Sequence, residues 1–387
     1  MAGTSAAAYN VVLYGENGMD SVTIGIIMSI NSVIGMLCPP FFGMLVDRLG
    51  SVKKGFLITL GISAVLWLGI PIGIGAKLLG LPLCMYFLLV GNIFQSSANP
   101  FMDSWILQIQ DAEPRVVYAH ARKYGSLGYG IMCIAATWIT SRFGTASAYF
   151  SLPICMVILL LLSRGVMDPS QKERGQKATG IETPAREKLQ LSRIFKNYYL
   201  VTHFLFMVVV WMPFLCSYTT IPYLIEAIGG DTSIVGALVG IRAILEVPAF
   251  MLVPLIYKKI KPQIVLPVVF AYYALEEFAL FMSYNVPIII TIMMVSGAVY
   301  AVATGINLMY VHGLAPAGLK STVVTLNGAA MGLSGILGQL LVGFLKDAFG
   351  VRTCFMVIGI MVGITVVLMV LSYWFGKKKG IPIEALS

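Results

Sequence analysis

Six ionisable side chains interrupt stretches that are otherwise apolar: Asp103, Arg122, Arg242, Glu246, Glu276 and Glu277. An ionised group at membrane depth must pair or face water, so each marks a place for ion pairing, proton exchange or hydrogen bonding to a polar solute. Asp103 and Arg122 stand 11 and 8 residues either side of Pro114. In a helical hairpin that spacing brings them to similar depth and makes each the natural partner of the other. Arg242 and Glu246 are four residues apart, hence on one helical face and able to pair. Glu276 falls near the depth of Arg242 if their helices are antiparallel neighbours. Glu276 and Glu277 point about 100° apart, so only one of them faces a given cavity. Burial disfavours the charged form of a carboxylate, so a group that alternates between dry and wet surroundings can load and release a proton. Glu246 is the first candidate for such a coupling group and Glu276 the second, with Arg242 as counter-charge. The alternative is that Arg242 neutralises Glu246 permanently, and sodium coupling or facilitated diffusion stays open.

Other chemistry is poorly supplied. No H-E-x-x-H zinc-hydrolase set and no G-x-x-x-x-G-K-[S/T] phosphate loop occurs, so neither an intramembrane hydrolase nor a self-contained ATP-driven pump is indicated. The six cysteines fall singly inside apolar segments, without C-x-x-C spacing, and the three histidines are scattered. Neither a metal nor a cofactor is expected. Among neutral polar residues, Asn31, Asn99 and Asn307 are candidates for solute contact. Like Gln95 and Asn327, they can equally bridge helices, and His203 reads as interfacial. Trp105 and Tyr129, with Tyr9, Trp211, Tyr218 and Tyr272, could stack on a ring or belong to an interfacial belt. The glycines at 328, 332, 335 and 338 read as close helix packing.

The elements that must position these groups are membrane helices. Of 387 residues 58% are hydrophobic and 11% charged, too few polar groups to cover a soluble globule. Apolar stretches of about 20 residues, the length that crosses a bilayer as helix, recur along the chain. The expected spans are 21–46, 55–75, 79–109, 122–141, 146–163, 199–225, 233–257, 263–282, 288–311, 321–345 and 353–375. Residues 1–14 read as the outer half of a first helix whose beginning is missing, giving eleven full spans plus a stub. If the turn at 14–20 faces outward, the inward loops and tail hold 21 of the 26 lysines and arginines. That asymmetry orients the chain with its C-terminus cytoplasmic. It also explains the net charge of +9 as a topology signal rather than a nucleic-acid surface. Residues 167–197 form a polar linker with a surface helix near 186–196, separating bundles at 1–166 and 198–376 from a tail at 377–387. Laying 20–48 on 231–259, and 124–144 on 330–350, gives faint internal repetition of the kind that parallel-repeat transporters show.

Early in the chain, charge gathers between two apolar stretches in "GMLVDRLGSVKK" at 43–54. Gly43 permits close helix approach, Gly50 can take the positive φ of a tight turn, and Asp47 can cap or pair with a neighbouring helix end. With Arg48, Lys53 and Lys54 these residues spell G-x-x-x-D-R-x-G-x-x-K-K, which resembles the signature loop of the major facilitator superfamily. The resemblance implies an all-α fold of two six-helix bundles, with this box as a gating element between the second and third helices. "GFLKDAFGVR" at 343–352 looks like an echo but falls on the outward side. The counterpart is "PLIYKKIKP" at 254–262, which keeps the basic residues and lacks the Asp and glycines.

"NPFMDSW" at 99–105, "HARKYGSLGYG" at 120–130 and the stretch 310–335 resemble the lactose permease and its relatives, the oligosaccharide:proton symporters. In that branch a Pro-x-x-acid in the fourth helix pairs with an arginine in the fifth, and an aromatic beyond it stacks on sugar. The resemblance implies that Pro100 introduces Asp103, that Arg122 partners it, and that Tyr129 takes the aromatic place. The tenth span departs from the branch, because it carries no titratable residue other than tyrosine before His312. The reading that results is a secondary transporter of the cell membrane, not an enzyme. It is expected to work as a monomer in the bilayer, importing a small polar solute (sugar, glycoside or nucleoside) with a proton or sodium ion. A drug or lipid exporter is the alternative, disfavoured by the lack of a Gly-Pro motif in the fifth span; a membrane sensor is the non-transport one.

Overall fold

The computed structural model describes residues 21–78, 80–143, 147–169, 192–230, 234–316 and 318–381. Among them the chain forms fourteen helices, with at least one in each expected span from residue 21 onward. In hydrocarbon each backbone N–H and C=O must be satisfied within its own segment, and helix is the solution for a single chain segment. The first six are α1 (Ser21–Leu49), α2 (Val52–Ile72), α3 (Leu83–Gln95), α4 (Ala98–Ala112), α5 (Tyr118–Phe143) and α6 (Ala148–Ser163). Then follow α7 (Ser192–Lys196), α8 (Tyr198–Val210), α9 (Met212–Ala227) and α10 (Ile234–Lys259). The last four are α11 (Pro262–Phe281), α12 (Val286–Leu314), α13 (Lys320–Phe349) and α14 (Val351–Lys378). Seven segments among the described residues are long and apolar enough to cross a bilayer unaided. The outward side chains fit that solvent: Ile72, Leu162 and Val268 are 77%, 68% and 65% exposed. The stub at 1–14 and most of the linker lie outside the described residues.

Two expected spans are each built from two helices. The span at 79–109 opens with a two-residue antiparallel hairpin, Lys77–Leu78 against Leu81–Pro82, and divides between α3 and α4 at Ser96 and Ser97. There Ser96 Oγ bonds back to the carbonyl of Ile93 at 3.1 Å, competing with the helical ladder. The span at 199–225 divides at Trp211, two residues before Pro213, which lacks the N–H needed to continue α8. Helix starts are set locally. Ser51 caps α2 by accepting from Lys54 N at 3.2 Å, and Asn197 caps α8 by accepting from Tyr199 N and Leu200 N.

The chain separates into two compact units. One gathers the described residues within Met1–Val116, Gly128–Leu189 and Gly318–Thr325. The other gathers those within Val117–Leu127, Gln190–Ala317 and Leu326–Ser387. In the first, Phe56, Trp67, Phe101, Trp105 and Tyr149 anchor a core shared by α2, α4 and α6. In the second, α10 and α12 approach closely at Gly297 and Gly305. A Cβ at 297 would stand 2.6 Å from the Arg242 carbonyl oxygen, and one at 305 would stand 2.8 Å from a Val253 methyl. Small residues at such points let helix backbones approach where no hydrophobic force separates protein from lipid. The glycine row on α13 is used unevenly. A Cβ at Gly338 would strike Cys216 Sγ on α9, one at Gly335 would touch Leu215 at 3.5 Å, and Gly328 faces open space.

Candidate functional site

The second unit holds a buried cluster of charge. Glu246 on α10 is 8% exposed, and Ser126 Oγ donates to its Oε2 at 2.6 Å. A hydroxyl donating to an ionised carboxylate at this distance is a short, charge-assisted bond. Arg242, one turn earlier on the same face, is 1% exposed, and its positive charge acts on both Glu246 and Glu276. Arg122, one turn before Ser126 on α5, also acts on Glu246. Glu276 is 4% exposed on α11, and Tyr272, one turn before it, interacts electrostatically with Glu276 and Arg242. Arg242, Glu246 and Glu276 are thus brought together as the sequence spacing anticipates.

The adjacent carboxylates diverge. Glu277 faces α14 and α9: a Cβ at Gly359 would lie 3.2 Å from Glu277 Cβ, and its electrostatic neighbours include Cys216 and Cys354. The separation of 100° per residue is the whole reason.

Arg242 is held by aromatic rings as well as by charge. Its Cζ lies 4.6 Å from the centroid of the Phe214 ring, and Phe214 stacks on Tyr300 at 4.1 Å with planes 9° apart. Trp211 meets both Phe214 and Tyr300 edge-on at 5.9 Å and donates Nε1–H to Met207 Sδ. A guanidinium over an aromatic face is stabilised by the ring quadrupole and more so when desolvated. Trp211, fully buried, therefore backs the Phe214 ring that faces the arginine rather than offering a ring-stacking surface.

In the first unit, Asp103 is 8% exposed on α4, and Tyr129 is half-buried on α5. Asn99, one turn before Asp103, is exposed. Asn31 accepts at 3.1 Å from Asn92 Nδ2 and so bridges α1 and α3. Trp105 corrects the expectation of a solute-stacking ring. It is 5% exposed, its Nε1–H donates to Met167 O at 3.0 Å, and Phe56 and the Lys53 ammonium flank the ring. A packed indole with its donor satisfied has no face left for a ligand.

Asn307 and His203 need correction too. Asn307 is 1% exposed; its Oδ1 meets His203 Nε2 at 2.6 Å and its Nδ2 donates to Asn327 Oδ1 at 3.3 Å. Both ends of the amide are occupied by protein, so Asn307 ties α8 to α12 and α13 and offers nothing to a solute. His203, read as interfacial, is fully buried in that network. Tyr9 and Tyr218 lie outside the described side chains.

The charged box resolves into two structural jobs. Asp47 Oδ2 accepts from both Thr322 N and Thr322 Oγ1 at 2.7 Å, capping the start of α13. Gly43 lies beneath it, where a Cβ would strike Thr325 Oγ1. Ser104 Oγ and Ser321 Oγ share a bond at 3.1 Å, and Lys320 pairs with Asp111. At the other end of the box Lys53 Nζ donates to Val166 O at 2.6 Å and Arg164 O at 3.1 Å, closing the carbonyl end of α6. An acid at a helix start and a lysine at a helix end each complement the helix dipole. Gly50 takes φ +66 at the turn, while Arg48 and Lys54 point outward. Asp47→Ala is expected to cost about 1–2 kcal/mol, the usual loss of a helix cap, seen as a lower unfolding temperature in detergent. Asp47→Asn, which keeps an acceptor oxygen, is expected to lose less; an Asp47→Ala protein as stable as the parent would refute the capping role.

Ser126 and Thr322 are hydrogen-bond partners of candidate residues that sequence reading missed. For Ser126 a signal existed: it stands four residues after Arg122, as Glu246 stands four after Arg242. For Thr322 the signal was a Ser-Thr pair beside the first lysine of a long apolar run.

The sequence profile described as MFS_1 like family matches residues 8–357. The chain belongs to the MFS_1-like family. That membership agrees with the several helices long and apolar enough to cross a bilayer among the described residues. One relative is the "Uncharacterized transporter YwbF" of Bacillus subtilis (strain 168), 24% identical over 238 residues. That alignment takes in 60% of this chain and about half, 55%, of the relative. Two solved structures share the fold. A mutant of the nucleoside transporter NupG superposes with a TM-score of 0.61 at 14% identity, covering 96% of this chain and 94% of its own. The proton:xylose symporter XylE bound to 6-bromo-6-deoxy-D-glucose gives 0.67 at 14% identity, covering 99% and 92%. The major facilitator fold expected from the charged box is therefore the fold of this MFS_1-like chain.

Proposed function

We propose that this MFS_1-like protein is a proton-coupled importer of a small polar solute, a sugar, glycoside or nucleoside, working by alternating access. The observation that carries the proposal is the buried group Ser126, Arg242, Glu246 and Glu276, with the half-buried Arg122 acting on Glu246. Membrane proteins keep charge at such depth where ions or substrates pass. Glu246 is the proton carrier in this reading. Ionised, it accepts from Ser126 and answers Arg242 and Arg122; protonated, it releases both arginines electrostatically, and the changed balance favours a different conformation. Glu276 shares Arg242 and serves as the second carboxylate of the relay. Asp103 and Tyr129 are assigned to the solute, Asp103 accepting hydroxyl hydrogen bonds and Tyr129 packing on the ring. Asn99, exposed one turn from Asp103, is a further solute contact. The choice of solute class is supported by that pairing of carboxylate and aromatic, and by the nucleoside and xylose named for the two solved structures.

The test is uptake by protein reconstituted in liposomes, using labelled sugars, glycosides and nucleosides under an inward proton gradient. At least one class is expected to accumulate, and a protonophore is expected to abolish the accumulation. Uptake of none of them, or uptake indifferent to the protonophore, would overturn the proposal.

A further inference from the structure

The face of α8 and α14 that carries no charge cluster contains a groove of about 440 Å³, lined by Tyr198, Phe206, Leu368, Leu371, Ser372 and Trp374, with Phe375 at its end. Its walls are apolar apart from one spot, where Tyr198 OH and Ser372 Oγ share a bond at 2.8 Å. Leu368, Leu371 and Trp374 are 50%, 52% and 59% exposed, so the groove opens outward and not toward the buried glutamates. The same end of α14 is strongly cationic. Lys378 Nζ sits 5.1 Å from the Trp374 ring centroid and Lys379 Nζ 4.6 Å from that of Phe375, so two ammonium groups are docked on residues that line the groove. Lys377 is exposed beside them. At the neighbouring start of α8, the short helix α7 presents Phe195, 72% exposed, next to the exposed Lys196. Aromatic rings beside lysines at a helix end are the composition of a headgroup-level boundary.

We infer that the α8/α14 groove binds an anionic phospholipid, with an acyl chain along Leu368, Leu371 and Phe206 and the phosphate on Lys378 and Lys379. The charge complementarity decides the occupant. A zwitterionic lipid would fill the apolar part equally well but would leave the lysines without a net anionic partner. The Tyr198–Ser372 pair, at the level between chain and lysines, is placed to meet the glycerol ester region. None of these residues takes part in the proposed coupling group.

The test is lipid retention by purified full-length protein, measured by native mass spectrometry after exposure to phosphatidylglycerol or phosphatidylcholine of the same chain length. One phosphatidylglycerol is expected to stay bound under conditions that strip phosphatidylcholine. Lys378→Gln with Lys379→Gln is expected to weaken retention about fivefold for each charge removed. Leu371→Trp, which fills the groove from an exposed position without altering charge, is expected to abolish the bound lipid. Equal retention of both lipids would mean ordinary annular contact and overturn the proposal. So would loss with the lysine pair but not with Leu371→Trp, which would mean a charged patch without a groove. Both variants change exposed side chains, so the unfolding temperature in detergent is expected to stay at the parent value.

Discussion

Glu246→Gln is expected to abolish concentrative uptake while leaving solute exchange intact. One charge moved across 100 mV is worth about 2.3 kcal/mol, so a carrier coupling one proton per solute can sustain a gradient of about fiftyfold at that potential. Glutamine preserves the shape of the side chain and keeps an oxygen for the 2.6 Å bond from Ser126, but cannot take or release a proton. The gradient should therefore collapse to equilibration, whereas counterflow between two pools of solute should continue. The comparison separates coupling from folding, because a misfolded protein would lose both. Ser126→Ala makes a useful companion: it leaves the carboxylate titratable and removes its donor, so uptake should persist with an altered pH profile. Undiminished proton-driven accumulation by Glu246→Gln would remove Glu246 from the coupling role.

Asp103→Asn is expected to reduce solute affinity by about two to three orders of magnitude, the scale on which losing one member of a buried charged contact weakens binding. The carboxylate is 8% exposed on α4, so its desolvation has already been met by the fold and each solute hydroxyl gained there is a charged hydrogen bond. Asparagine keeps the volume and one acceptor and loses the charge. Binding measured by isothermal titration, with the solute found in the uptake screen, checks this directly. An unchanged dissociation constant would take Asp103 out of the solute site. Trp105→Phe provides the contrast: the indole is structural, so its loss should lower stability through the missing bond to Met167 O and leave affinity unchanged.

Composition and patterning were enough to specify helices and a bilayer, since apolar runs of about 20 residues in a chain 58% hydrophobic satisfy their own backbone in hydrocarbon as helix. The i,i+4 spacing of Arg242 and Glu246 put those two on one face, and the 100° between Glu276 and Glu277 meant that only one of that pair could share the arginine. These are properties of one helix, or of two with similar depth, and they are written in residue numbers. The turn inside the charged box was legible for the same reason, because Gly50 takes its positive φ within that single turn.

Tertiary structure decided everything that depends on which helix faces which. Asp47 meets Thr322, 275 positions away in sequence, and Ser126 meets Glu246, 120 away. No local pattern encodes such separations. Asn307, Trp105 and Trp211 look in sequence like polar or aromatic groups open to a ligand, and His203 like an interfacial one. The fold occupies them with one another, with backbone carbonyls or with the rings around Arg242, because an unsatisfied donor in an apolar interior is costly. A sequence shows that a group needs a partner; only the packing of helices shows whether that partner is protein or solute.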